Sequence, residues 1–260
     1  MSPGRARVTF LGTGTSHGVP MIGCDCRTCT STDPRDQRLR PSMLVQLPTG
    51  ANLLIDAAPD LRAQALRHRV RRIDAILFTH AHADHVLGLD ETRRFSSLQG
   101  GPLPCYGSPD TISEIRRVFA YAFRGGHEGG GVPKLELVAV EGPFQAAGWP
   151  VVPVPILHGS LPIYGYRVGG LAYLTDCSEI PEASWPLVEG AGTLVLDALR
   201  DRPHPTHFNV EQALAAIERA RPGRAFLTHV SHDLAHEAVS RRLPAGVELA
   251  YDGLMLEVEA

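Results

Sequence analysis

The chain has 260 residues, 43% of them hydrophobic, and a formal net charge of −3 at pH 7. That size and apolar content suit a globular fold with a sizeable core. The balanced charge argues against a broad nucleic-acid or membrane surface, and the cluster Arg67, Arg69, Arg71 and Arg72 reads as a solvated helix end. The apolar stretch near the start is too short for a signal-peptide core, and no segment approaches the roughly 20 apolar residues of a membrane helix. The expectation is a cytoplasmic protein with no membrane partner. The 26 glycines and 21 prolines are spread along the chain without forming a linker, so one domain over 1–260 is expected. Five cysteines are too few for a disulfide scaffold, and three of them fall within six residues, which points to metal.

In chain order, residues 8–11 read as a strand running into the turn Gly12-Thr13-Gly14. Residues 43–47 and 52–55 read as paired strands joined by Pro48-Thr49-Gly50, with Asp56 ending the second. Residues 59–67 fit a short helix, and 75–78 form a β-like run that stops at Thr79-His80. Residues 108–123 have helical spacing, with Ser108 as N-cap before Pro109. Strands follow at 135–140, 151–156, 163–168, 172–174 and 193–196. An amphipathic helix is expected at 210–220, a buried strand at 225–227 and a helix at 232–241. Residues 247–251 and 254–258 read as a hairpin around Asp252-Gly253. Strand meanders followed by helices in both halves suggest two sheets face to face with helices outside.

The strongest local signal is Thr79-His80-Ala81-His82-Ala83-Asp84-His85, directly after an apolar run. Four ligand-type side chains on a loop leaving a strand can converge without disturbing the core, and imidazole and carboxylate suit Zn²⁺, Mn²⁺ or Fe²⁺. The bland alternative is a chance cluster of surface histidines, which the packing of four such residues disfavours. The segment Gly23-Cys24-Asp25-Cys26-Arg27-Thr28-Cys29 supplies three thiols, and a closed tetrahedral zinc site needs one further ligand. Buried reduced cysteines or a redox pair are the competing readings. No thioredoxin-like context supports the redox pair.

The histidine pattern resembles the HxHxDH signature of the metallo-β-lactamase superfamily, which implies an αββα sandwich. The remaining ligands then lie just past later β-like runs, at His158, Asp176 and His229. The resemblance thereby covers nearly the whole chain. It implies one divalent ion on His80, His82 and His158, a second on Asp84, His85 and His229, and Asp176 bridging them, with an intervening hydroxide as nucleophile. Asp56 matches the family's early strand-end aspartate, expected to fix a histidine ligand through its ring N–H; a turn carboxylate is the alternative. Leu11-Gly12-Thr13-Gly14, then Gly18-Val19-Pro20 and the cysteine triplet, resemble the PhnP branch, whose members open a phosphoribosyl cyclic phosphate. That likeness implies a structural zinc on Cys24, Cys26, Cys29 and His232, tying an N-terminal loop to the segment that carries His229. It also implies that His207 serves the leaving group, with His204 as the close competitor.

Of the other residues, His17 is expected to face the same cleft and His68 and His236 to lie on the surface. Cys105 reads as a core residue and Cys177 as packing beneath a ligand. His127 and Arg124 sit in a Gly-rich loop at 124–131 that reads as solvated, with a lid role as the competing reading. The expected activity is hydrolysis of a small, cyclic phosphodiester by two Zn²⁺, Mn²⁺ or Fe²⁺ ions, in a chain for which the PhnP likeness suggests a homodimer. The rivals are an RNA-trimming nuclease, disfavoured by the lack of a basic arm, and a thioester or lactone hydrolase. A PqqB-like binding protein is a further rival, disfavoured because all seven ligand positions are filled.

Overall fold

A computed structural model of the chain describes residues 4–124 and 131–260. The first half lays down β1 (Arg5–Gly12), β2 (Ser42–Gln46), β3 (Asn52–Ile55), β4 (Ala75–Leu77), β5 (Leu103–Gly107) and β6 (Leu135–Ala139). The second lays down β7 (Phe144–Ala146), β8 (Trp149–His158), β9 (Leu161–Val168), β10 (Leu171–Leu174), β11 (Thr193–Asp197), β12 (Arg224–Thr228) and β13 (Val247–Leu249). β14 (Met255–Glu259) then returns to the first sheet, giving two seven-stranded sheets in the orders β14-β1-β2-β3-β4-β5-β6 and β13-β12-β11-β10-β9-β8-β7. Helices α1 (Leu61–Arg67), α2 (Ala83–Val86), α3 (Arg93–Gln99) and α4 (Pro109–Val118) belong to the first half. Helices α5 (Trp185–Val188), α6 (Val210–Ala220) and α7 (His236–Ser240) belong to the second.

Alternation along the strands sorts the core into three layers. Leu53 and Ile55 of β3 join Val195 of β11 and Phe226 of β12 in a cluster between the sheets, a layer that holds no helix residue. Leu54 faces the other way, onto Leu61 of α1 and Ile115 of α4. Leu194 and Leu196 do the same on the second sheet, against Ala213 and Ile217 of α6. The fold is therefore helix, sheet, sheet, helix, the αββα sandwich of the metallo-β-lactamase fold.

The helix ends follow their sequence. Ser108 caps α4 through a hydrogen bond from the Thr111 amide (3.2 Å). Asn209 and Gln212 form a reciprocal capping box at α6. Three expectations need correction. Residues 247–251 and 254–258 are not a hairpin: β13 pairs in parallel with β12, and β14 pairs with β1 in the other sheet. The chain crosses over at Asp252, whose buried carboxylate accepts from the Thr13 amide and hydroxyl and from the Leu39 amide, at 2.7–2.9 Å. The helix expected at 232–241 is only the short α7, because 231–235 is used in side-chain contacts described below. Neither His68 nor His236 is a surface side chain. His68 is half-buried, and His236 is buried with its amide on Asp36 (2.8 Å) and its ring against Tyr251.

Candidate metal centre

β3, β4 and β5 run parallel, as do β10, β11 and β12, so their carboxyl ends open on one edge of the sandwich. Asp56 follows β3, the His80–His85 segment follows β4, Asp176 follows β10 and His229 follows β12, while His158 ends β8 and Asp197 ends β11. Residues about 150 apart in sequence thereby meet at one spot. The donor atoms of His80, His82 and His158 form one group within 4.8 Å of one another, and those of Asp84, His85, Asp176 and His229 form a second. Asp176 also groups with His158 and His207, so its carboxylate reaches from one set to the other.

The distances fit a cation. His85 Nε2 lies 3.3 Å from Asp84 and 3.2 Å from Asp176. His229 Nε2 lies 3.6 Å from Asp84 and 3.3 Å from Asp176. Donors about 2.0–2.2 Å from a common ion stand roughly 3.0–3.5 Å apart. The buried Nε2 atoms of His80, His85 and His229 have no hydrogen-bond partner among the described residues, an arrangement that costs free energy unless something else binds them. Burial alone would raise the pKa of Asp176 and Asp84. The neighbouring His229 and His85 outweigh it and hold both carboxylates well below the usual range. Burial likewise opposes charge on His229, yet Asp176, Asp84 and Asp197 lift it to about 9. The field here is negative and calls for positive charge.

Three of the rings are aimed by their other nitrogen. His85 Nδ1–H donates to Asp56 (2.7 Å), the role expected for that aspartate. His80 Nδ1–H donates to the Thr79 hydroxyl (3.0 Å), which donates in turn to Asp56 (2.9 Å). His158 Nδ1–H donates to the carbonyls of Thr206 (2.8 Å) and Asp176 (3.0 Å). Asp56, Asp176 and His229 all have left-handed backbone, with φ of 62°, 55° and 58°. Each costs about 1–2 kcal/mol for a residue with a Cβ and persists because the surroundings over-determine it.

His207 and Asp197 stand beside these groups. The buried His207 ring donates from Nδ1 to Asp197 (2.7 Å), stacks on His229 and meets His158 edge-on. Burial, helped by His229, pushes its pKa down to about 4. A neutral His207 that donates from Nδ1 to Asp197 leaves a lone pair on Nε2. Sequence reasoning missed Asp197 and Thr79. A signal for Asp197 was available: it ends an apolar strand, as Asp56 nearly does.

The cysteine segment meets the C-terminal half as expected. Cys24, Cys26 and Cys29 Sγ lie 3.2, 3.4 and 3.6 Å from His232 Nδ1, against about 3.6 Å for sulfur and nitrogen on one tetrahedral zinc. The Cys29 amide donates to Cys26 Sγ and lowers its pKa to about 6. Burial raises that of Cys29 to about 11. A zinc ion would stabilise all three thiolates together. A second tie runs alongside. Arg38, fully buried, donates to the carbonyls of Ser231 (2.9 Å) and Leu234 (2.7 Å) and pairs with Asp36 (3.0 Å). Sequence reasoning assigned no role to this arginine.

Two clefts flank the segment from Thr15 to Ile22. One, of about 350 Å³, is lined by His17, Arg200, His204, His207, His229 and His232 among others. The other, of about 420 Å³, is lined by His17, Ile22, Arg40, Pro59 and Asp84 among others. His17 thus faces the site, as expected, and so does His204. Cys105 and Cys177 are buried core residues. Arg124 is exposed, and the loop with His127 lies outside the described residues.

Residues 51–230 match the family model described as a beta-lactamase superfamily domain. The chain belongs to the metallo-β-lactamase superfamily. A crystal structure of a diphosphatase from the PhnP family is 46% identical, with 99% of each chain covered and a TM-score of 0.92, which places this member in the PhnP-like branch. Zinc-bound PqqB from Methylobacterium extorquens shares the fold at 22% identity and a TM-score of 0.78, with 96% of this chain and 99% of that one covered. Among curated relatives, an octanoyltransferase of Porphyromonas gingivalis is 39% identical over 95% of this chain and 51% of its own length. A ribonuclease Z of Bradyrhizobium diazoefficiens is 30% identical over 61% of this chain and 48% of its own. The chain spans about half the length of these two relatives. Membership of this superfamily, together with the donor groups, supports a metal-dependent hydrolase. Among the described residues no helix is long and apolar enough to cross a membrane.

Proposed function

We propose that this hydrolase cleaves a small phosphodiester, a cyclic phosphate or a diphosphate diester, with two divalent ions in the edge site and one structural zinc at the cysteines. The observation that carries the reading is the pair of donor groups joined by Asp176, with the Asp197–His207 pair directly beside them. His80, His82 and His158 would hold one ion, and Asp84, His85 and His229 the other, with Asp176 between. Two Zn²⁺, Mn²⁺ or Fe²⁺ ions there would lower the pKa of a water and offset charge on the phosphoryl oxygens. Cys24, Cys26, Cys29 and His232 would hold the third ion.

The protein's own residues account for the proton. Neutral His207 offers Nε2 to take up a proton while Nδ1–H stays on Asp197, and the resulting imidazolium is stabilised by that carboxylate. The same Nε2 can then return the proton to the departing oxygen. His204 touches the cleft without a carboxylate partner, so His207 fits the proton role better.

The reading is supported by the likeness to the PhnP-family diphosphatase. The test is hydrolysis of bis(p-nitrophenyl) phosphate by protein reconstituted with Mn²⁺ or Zn²⁺, with Asp176→Ala as control. Turnover that disappears in the control is expected. Turnover of a thioester or lactone panel in place of the phosphodiester would replace this reading.

A further inference from the structure

The two clefts differ in a way that bears on the substrate. Both border the donor groups, one through His207 and His229, the other through Asp84. A diester has two arms, and the clefts give each a side. The side with His207, which returns the proton, is where the leaving arm lies. That cleft also contains Arg200 and His204.

Arg200 is a half-buried cation without a salt bridge among the described residues. Its guanidinium donates only to backbone carbonyls, those of Arg202 and Pro203, both at 3.3 Å. Its neighbours are already neutralised: Arg202 pairs with Asp233 and Arg242 with Asp201. Asp233, the one acid lining this cleft, is therefore engaged. His204 Nδ1 is approached by the Thr206 amide (3.3 Å) and hydroxyl (3.2 Å), which leaves the ring proton on Nε2 as a further donor. Thr15 and Ser16 line the same space. In the opposite cleft the single arginine, Arg40, is bound to Asp60 (3.0 Å). The exposed Ile22 and Pro59 beside it offer apolar contact instead.

We infer that Arg200, with His204, forms a second anion subsite that selects substrates whose leaving arm carries its own phosphate. The inference rests on the phosphodiesterase reading above. A diphosphate diester meets the requirement directly, because its leaving group is a phosphate monoester. A cyclic phosphate of a phosphorylated sugar meets it through the sugar's phosphate. In a diphosphate diester the opposite arm is the less charged one. A planar guanidinium with two parallel donors suits such a phosphate better than a lysine ammonium would.

The experiment compares kcat/KM for ADP-ribose, a diphosphate diester, with that for bis(p-nitrophenyl) phosphate, in metal-reconstituted wild type, Arg200→Gln and Arg200→Lys. Loss of a charge-assisted contact to phosphate predicts that the ratio of the two values falls on the order of ten-fold or more in Arg200→Gln, through KM. Arg200→Lys should fall between. Equal losses on both substrates would show that Arg200 only shapes its loop, and an unchanged ratio would likewise overturn the subsite. Absence of turnover of every phosphodiester by wild type would overturn the underlying reading instead, and the two failures are distinct.

Discussion

Replacing Arg38 with Met tests how the site is held together. The guanidinium is fully buried and makes three contacts: the Ser231 and Leu234 carbonyls, nearly two hundred residues away, and the Asp36 carboxylate, two residues away. The Arg38 backbone pairs with Val19 in both directions, so the side chain reaches from the N-terminal loop into the segment between His229 and His236. Methionine fills part of the volume but leaves a buried carboxylate with no cation and two carbonyls with no donor. Removing one partner of a buried pair costs about 3–5 kcal/mol. The orphaned carbonyls add to this, and recovered desolvation of the arginine subtracts. A net loss of about 4 kcal/mol is expected, which for a chain of this size lowers Tm by about 8–16 °C. Scanning calorimetry of zinc-replete protein measures it. Zinc affinity at the cysteines should fall as well, since His232 lies inside the released segment. Asp36→Leu in the same chain should restore part of the loss, because an apolar pair leaves no stranded charge. A Tm drop below about 3 °C, with zinc retained, would show that Arg38 is not the tie described here.

Asp197→Asn should lower kcat by about 10²-fold or more with little change in KM, because the amide no longer stabilises a protonated His207; steady-state kinetics at fixed metal would show it, and an unchanged kcat would remove His207 from the proton path. Cys26→Ser should lower the zinc content by one ion per chain and lower Tm more than it alters kcat, read by metal analysis and calorimetry on the same sample. Burial lifts the Asp252 carboxyl to about 6 from 3.8, against donation from Leu39 and Thr13. Its folded pKa is the higher one, so its stabilising share is full below about pH 4 and lost as pH rises through 6, by about 3 kcal/mol. The stability of Asp252→Asn relative to wild type should therefore improve across that window, and parallel pH profiles would exclude Asp252 as the cause.

What could be read in advance depended on range. β3 and α6 were legible to the residue because their patterns are local: a short apolar run bounded by turn residues, and a 3.6-residue stripe. β5 was not, since Pro104 and Gly107 interrupt a five-residue strand that sits inside the sheet. Asp252-Gly253 carries the local chemistry of a hairpin turn, but a buried carboxylate with donors some two hundred residues away makes it a crossing between sheets. The His80–His85 cluster announced itself, and the structure brings His158, Asp176 and His229 to it. Arg38 and Asp197 have no local signature of comparable strength, because tertiary contact brings Ser231 and Leu234 to the one and His207 to the other.

The number of ions that activity requires is the most direct test of the two-ion site. Protein stripped of metal should be retitrated with Zn²⁺ or Mn²⁺ while phosphodiester hydrolysis is followed against ions bound per chain. Activity should appear only beyond the structural equivalent and reach its full value with both edge-site positions filled. Full activity with a single edge-site ion, or none with both bound, would contradict it.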